Sequence, residues 1–276
     1  MRILWISLLI GCGDKESSDS SAQESDADAD TDTDTDTDTD TDTDPDPTMA
    51  LEGCMAYEDG TTAKGNVRVQ MCSAATGCVP AYPDETGCYG FLSLDPGPYA
   101  FDVVPLFEDS GSVWSTPLSI VELKAEEEPW SFSEQTIIYA FTHTAALESG
   151  SFDAGGGLII SADTTTFTAP DLEPDADYLA GVSVDPAAAG LPLADAPGEV
   201  VAMWYLGPAL SIVDSWAFEV SGLDLDAGEQ LQVYNANYGG YSWQDVGTAT
   251  VGEDGILRSD EGTGLDHLST LILVRK

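Results

Sequence analysis

Seven consecutive Thr-Asp repeats occupy positions 31–44, and no compact fold can be built on them. The surrounding stretch, 13–48, carries fifteen Asp and Glu against one Lys, with no aromatic and no large apolar side chain. Such a segment cannot bury enough apolar surface to offset the entropy lost on ordering. Like charges two residues apart also repel and stretch the chain. The expectation is a disordered acidic tether whose extended reach is at most on the order of 120 Å. All folding is thereby pushed into 49–276, a length that suits one large or two ordinary domains. The repeat mimics the first ligands of an EF-hand loop, which also needs Gly at its sixth place and Glu at its twelfth. Counting from Asp32, those places hold Thr37 and Thr43, so a solvated spacer is the reading.

Charge narrows the partners. The formal net charge is −42, from 50 acidic and 8 basic residues. Beyond the tether, 35 acids still face 6 bases. Nucleic acid is excluded as a partner, because its binding rests on Lys and Arg neutralising phosphates. Adhesion to anionic lipid through basic patches is excluded for the same reason. The balance favours solubility and an extracellular or saline setting.

At the other end, Arg2 and the short apolar run Ile3 to Ile10 have a signal-peptide layout. The run is far below the roughly 20 apolar residues a membrane span needs. Beyond Cys12 the chain turns polar at once, from Gly13 to Ser18. Leu9-Ile10-Gly11-Cys12 resembles the lipobox of bacterial lipoproteins. The resemblance implies cleavage before Cys12 and multiple acylation of Cys12, and two or more chains anchor stably where one does not. Gly13, where Asp would retain the protein at the inner membrane, points to the outer membrane. An ordinary signal peptide, or a start further upstream, is the competing reading. The implied partner is a lipid membrane, reached through the acylated N-terminus; the oligomeric state is left open.

Four further cysteines cluster within thirty-five residues: Cys54, Cys72, Cys78 and Cys88. An even number in an exported chain reads as two disulfides. Zinc would want close C-x-x-C pairs, whereas 17, 5 and 9 residues separate these neighbours, so no metal or other cofactor is expected. Three pairings remain open. Cys72–Cys78 with Cys54–Cys88 is preferred because the first would clasp a hairpin.

The fold class is all-β, two β-sandwich domains after the disordered linker. Over 49–143, short alternating strands are separated by turns every eight to twelve positions. Val67, Val69 and Met71 alternate with Arg68 and Gln70, giving one apolar face. Gly87-Cys88-Tyr89-Gly90-Phe91, Leu94, Pro96-Gly97 and Tyr99-Ala100-Phe101 resemble the carboxypeptidase regulatory-like (prealbumin-like) domain family over about fifty residues, 53–104. The usual Gly-x-Val at the domain start is here Gly53-Cys54-Met55. The resemblance implies a seven-stranded sandwich with an accessory, structural or ligand-binding role and no catalysis.

Over 144–276, Trp216, Phe218 and Val220 alternate with Ala217 and Glu219, and Leu231 and Val233 with Gln230 and Gln232. Prolines 170, 174, 186, 192 and 197 break up long helices. Gly222-Leu223, Ala227-Gly228, Trp243, Val246-Gly247, Asp254-Gly255 and Gly264-Leu265-Asp266-His267 resemble a module of exported bacterial surface proteins. That resemblance implies a second β-sandwich and no chemistry.

No motif specifies a reaction. Gly181-Val182-Ser183-Val184-Asp185 lacks the last Gly of a nucleophile elbow. P-loop, His-Glu-x-x-His and Gly-x-Gly-x-x-Gly patterns are absent. Only His143 and His267 could serve a triad, and no spacing singles out an acid pair for glycoside hydrolysis. No catalytic residue is therefore assigned, and the chain reads as a non-catalytic surface binding or structural module in the cell envelope. A cryptic extracytoplasmic hydrolase and a carbohydrate-binding protein are the alternatives. For ligand contact the candidates are Tyr234, Tyr238 and Tyr241, on a hairpin that turns at Gly239-Gly240 and ends in Trp243. Tyrosines at a loop tip would stack on a glycan or meet a surface protein, unless they half-bury on their own sheet.

Overall fold

The computed structural model describes residues 50–65, 67–105, 114–127, 129–171 and 173–276. The segment read as a signal peptide, Cys12 and the 13–48 stretch read as a tether lie outside these residues. The described chain is strands joined by turns and loops, and its helical elements are the short turns at Ala125–Glu127 and Thr164–Thr166. Among the described residues no helix is long and apolar enough to cross a membrane.

The first eight strands are β1 (Leu51–Tyr57), β2 (Val67–Ser73), β3 (Gly77–Ala81), β4 (Cys88–Phe91), β5 (Gly97–Pro105), β6 (Leu118–Leu123), β7 (Trp130–Ser131) and β8 (Thr136–Ile138). They form two sheets. One runs β4-β1-β7, with β8 continuing along β1; the other runs β3-β2-β5-β6. Period-two alternation decides what each face buries. Val67, Val69 and Met71 of β2, with Tyr99, Phe101 and Val103 of β5, share one core with Leu51, Met55, Tyr89 and Phe91 of the other sheet. Local chemistry makes the turns. Asp84 Oδ1 accepts from the backbone N–H of Thr86 at 2.7 Å and of Cys88 at 3.1 Å. Gly87 lies between them at φ 83°, and a Cβ there would lie 2.6 Å from the Met55 carbonyl oxygen. Only Gly satisfies both conditions.

Both disulfides form within this segment. Cys54–Cys88 joins directly opposed residues of β1 and β4. Cys72–Cys78 joins opposed residues of β2 and β3 and clasps that hairpin.

The remaining strands are β9 (His143–Ala146), β10 (Gly150–Gly155), β11 (Leu158–Ala162), β12 (Tyr178–Val184), β13 (Glu199–Gly207), β14 (Ser211–Trp216), β15 (Phe218–Val220), β16 (Gln230–Asn237), β17 (Ser242–Val251), β18 (Leu257–Ser259), β19 (Leu265–Leu268) and β20 (Thr270–Arg275). Ten of them make one sheet, ordered β10-β11-β15-β18-β17-β16-β20-β13-β12-β9; β14 and β19 pair separately. The long sheet curls until its β10 end packs on β9 and β12. Gly181 permits the approach, since a Cβ there would stand 2.6 Å from the Ala154 carbonyl oxygen. The indole N–H of Trp204 spans the gap, donating to the Gly155 carbonyl at 2.9 Å. Leu158, Trp204, Trp216, Leu231, Leu271 and Leu273 fill the interior.

Four adjacent strands of this sheet are buried on both faces. Leu271 and Leu273 of β20 point into the curled sheet, whereas Ile272 and Val274 belong to the core of the first segment. β13 divides in the same way, with Trp204 and Leu206 on one side and Met203 and Tyr205 on the other. Double burial explains why β13 and β20 contain the unbroken apolar runs Ala202 to Leu206 and Leu271 to Val274. The boundary drawn at 143/144 falls at the start of β9, and residues on both sides of it share one hydrophobic core. All the described residues belong to one compact unit, Pro45–Lys276.

Candidate functional site

The β16–β17 hairpin pairs Ala236 with Trp243 and Asn237 with Ser242, and residues 238–241 make the tip. Gly240 N–H donates to Asn237 Oδ1 at 2.8 Å, and Tyr241 takes a positive φ of 48°. The tip is not free. The outer face of the β3-β2-β5-β6 sheet covers it, through Cys72, Ala100, Leu118 and Ile120. Tyr234 is buried in the shared core. The Tyr238 hydroxyl sits against both sulfurs of the Cys72–Cys78 bridge, at 3.0 and 2.9 Å. A disulfide sulfur carries no proton, so the tyrosine donates. Tyr241 packs against the same cluster and faces a groove. The three tyrosines thus hold three different positions, and of them Tyr241 alone lines the groove.

Behind Tyr238 lies a short buried polar relay. Gln70 Nε2 donates to the Tyr238 hydroxyl at 3.1 Å and to Asp102 Oδ2 at 2.9 Å. Asp102 is fully buried, and its other oxygen has no partner. Burial pushes its carboxyl up to about 7, against the opposing pull of the Gln70 hydrogen bond and the Arg68 charge.

The groove begins as a cavity of about 380 Å³ walled by Tyr241, Trp243, Pro98 and Pro197, with Glu122 and Asp195 on its rim. A second cavity of about 260 Å³ shares Val121, Glu122 and Asp195 with it and adds Trp130 and Phe132. A third, of about 480 Å³, shares Ser131 and Phe132 with the second and extends to Tyr82, Glu52, Asp84 and the Cys54–Cys88 bridge. The three adjoin through these shared lining residues and are together called the groove. The 192–197 loop shapes its middle. Asp195 Oδ2 accepts the backbone N–H of Glu122 at 2.9 Å, and the Ser119 hydroxyl donates to the Pro192 carbonyl. These bonds also cap β6, the edge strand of its sheet. The Trp130 indole N–H is held by the Lys124 carbonyl at 2.9 Å. Among the described residues, every ionisable side chain on the three walls other than tyrosine and the bridged cysteines is a carboxylate, and no Lys, Arg or His lines them. Hydrogen bonds from the Thr86 side chain, then from nearby backbone N–H groups, hold Asp84 below the ordinary carboxylate range.

The two histidines sit elsewhere. His267 is half-buried on β19; desolvation lowers its pKa against the opposing charge of Asp266. Its Nδ1 is buried without a hydrogen-bond partner, and Asp266 Oδ2 accepts instead from Gln244 at 2.6 Å. His143 Nδ1 lies 3.6 Å from Asp153 Oδ1 at the closure of the long sheet. Among the described residues no group of three or more His, Cys, Asp or Glu could hold a metal ion.

Glu122 and Asp195 are 73 positions apart and were not legible as partners. The nearest signal was the proline-bounded loop around Asp195.

No family model matches the chain, and no curated protein matches it. Among solved structures it is similar to the Bacillus anthracis TIE protein, at 10% identity and a TM-score of 0.27, covering 76% of this chain and 42% of that one. The chain therefore spans less than half the length of that protein. It is also similar to a DUF3823 family protein from Bacteroides ovatus, at 11% identity and a TM-score of 0.23, covering 82% of each chain. Resemblances this distant assign this chain to no family.

Proposed function

We propose that this chain is a non-catalytic binding module of the bacterial cell envelope, anchored through an acylated Cys12 and displayed on its acidic tether. The observation that carries the reading is the groove whose walls include the half-buried Trp243, Tyr241 and Phe132. Large amphipathic aromatics beside carboxylates suit recognition of a ligand. Catalysis would need a nucleophile, a base and an orienting acid brought together. His267, the best base candidate, lines none of the three cavities, and Asp266 is engaged by Gln244.

Two experiments test the proposal. Cys12→Ala should release the protein from the membrane fraction; retention would place the anchor elsewhere. A photo-crosslinking residue at Tyr241 should capture one defined envelope component in intact cells, and that component should bind the purified Cys12→Ala protein. Equal capture from a probe at Leu92, an exposed residue outside the groove, would remove the groove from consideration.

A further inference from the structure

We infer that the occupant of the groove is a basic, extended polypeptide, held by carboxylates at its Lys or Arg heads and by aromatic faces along their stems. This inference rests on the binding-module reading and names the class of partner. The argument is one of donors and acceptors. The charged side chains of the walls, Glu122, Glu127, Asp195, Glu52 and Asp84, are acceptors only. Lys124 pairs with Glu127 at 3.5 Å, and no ion pair engages Glu52, Asp84, Glu122 or Asp195 among the described residues. Lys and Arg are donors only, so they match such a lining. Sugar hydroxyls both donate and accept, and the side-chain donors these walls offer are only the hydroxyls of tyrosines and serines, their indole N–H groups being buried or already engaged.

The apolar part of the groove fits the same occupant. Lys and Arg lay their stems along apolar surface and keep the charge in water. Their heads are attracted to the faces of Trp and Tyr. Trp243 and Tyr241 stand on the same cavity as Glu122 and Asp195, so head and stem are served together. The pairing recurs further along, where exposed Tyr82 stands on the same cavity as Asp84; Trp130 is buried and forms only the floor between the two cavities. A repeated pairing suits an extended chain better than a compact ligand.

Charge also removes the occupants closest to hand. The 13–48 segment of this chain is itself acidic, and so is any second copy of the folded body, with 35 acids against 6 bases. Both would meet the groove with like charge. A foreign basic segment would be drawn towards it.

The test uses the Cys12→Ala protein at physiological salt. The probes are short extended peptides alternating Lys or Arg with small residues, the same peptides with Glu for each base, chitosan oligomers, and a neutral glycan array. Glu122→Gln/Asp195→Asn removes groove charge. Glu148→Gln/Asp224→Asn removes as much charge from positions outside it. Tyr241→Ser, and Trp243→Leu as a second variant, remove aromatic wall. The inference expects binding of the basic peptides alone. It expects a loss of about tenfold in the groove-charge variant and in either aromatic variant, and a change below about twofold in the control. Equal losses in groove and control variants would mean diffuse attraction and overturn it. Groove-dependent binding of chitosan or neutral glycans would overturn it too, while leaving the binding-module reading intact. Binding of no probe also overturns it; the module reading then stands or falls by the crosslinking experiment.

Discussion

Tyr238 and Cys78 are 160 positions apart in the chain, and the tyrosine hydroxyl lies 2.9 Å from the cysteine sulfur. Gln70 donates to that same hydroxyl, so one phenol fastens the hairpin to the disulfide-clasped β2–β3 pair. Tyr238→Phe should keep the ring and lose both bonds. A cost of about 1–2 kcal/mol is expected, because the Gln70 amide is left short of a partner. Urea unfolding of the oxidised protein measures it, and an unchanged midpoint would show that the bonds add nothing.

The two bridges should differ in weight. Cys54–Cys88 closes a separation of 34 residues, Cys72–Cys78 only 6. Loop-closure entropy then gives about 4 kcal/mol for the first and about 2 kcal/mol for the second. Paired Cys→Ala variants compared by chemical denaturation should show that order. The reverse order would mean that the short bridge acts mainly as the seat for Tyr238.

Asp102 should make the folded body less stable as pH rises. Its folded pKa is near 7, above the ordinary value for Asp. Between about pH 4 and pH 7 the folded state therefore holds a proton that the unfolded state has released. Stability is full below the unfolded value, declines by about 1.4 kcal/mol per unit through that window, and levels off above it. Asp102→Asn mimics the protonated form and should flatten the profile, with its largest advantage over wild type above pH 7. Denaturation midpoints across the range decide; parallel profiles would show that Asp102 titrates normally.

Gly181→Ala tests the closure of the long sheet. The added methyl would meet the Ala154 carbonyl oxygen and Cβ at 2.6 and 2.7 Å, and backbone cannot yield as a flexible side chain can. A loss of about 1–3 kcal/mol is expected, read as a lowered Tm. A neutral result would mean that β10 and β12 can separate without cost.

Much of this was legible locally. The alternation at Val67, Val69 and Met71 marked a strand with one buried face, and β2 buries all three side chains. Gly239-Gly240 marked the hairpin tip, and the chain turns there. The Cys72–Cys78 clasp was suggested by its short spacing. What escaped reading is non-local. Tyr238 looks like an exposed tip until a sheet more than a hundred positions upstream covers it. The groove has the same character, because β6, the 192–197 loop and the hairpin each supply only part of its wall. Ala202 to Leu206 and Leu271 to Val274 did carry a signal of double burial, since neither run alternates. An apolar run says that both faces are covered without saying by what.

The central place of β20 sets an order of events. This strand lies between β16 and β13 and comes after every other described strand in the chain. Synthesis from the N-terminus delivers it after all its neighbours. Until it arrives, β13 and β16 present bare hydrogen-bonding edges, and two cores lack Leu271, Ile272, Leu273 and Val274. A chain that emerges N-terminus first is therefore open along those two edges until its last strand arrives. Its final locking is a single late insertion.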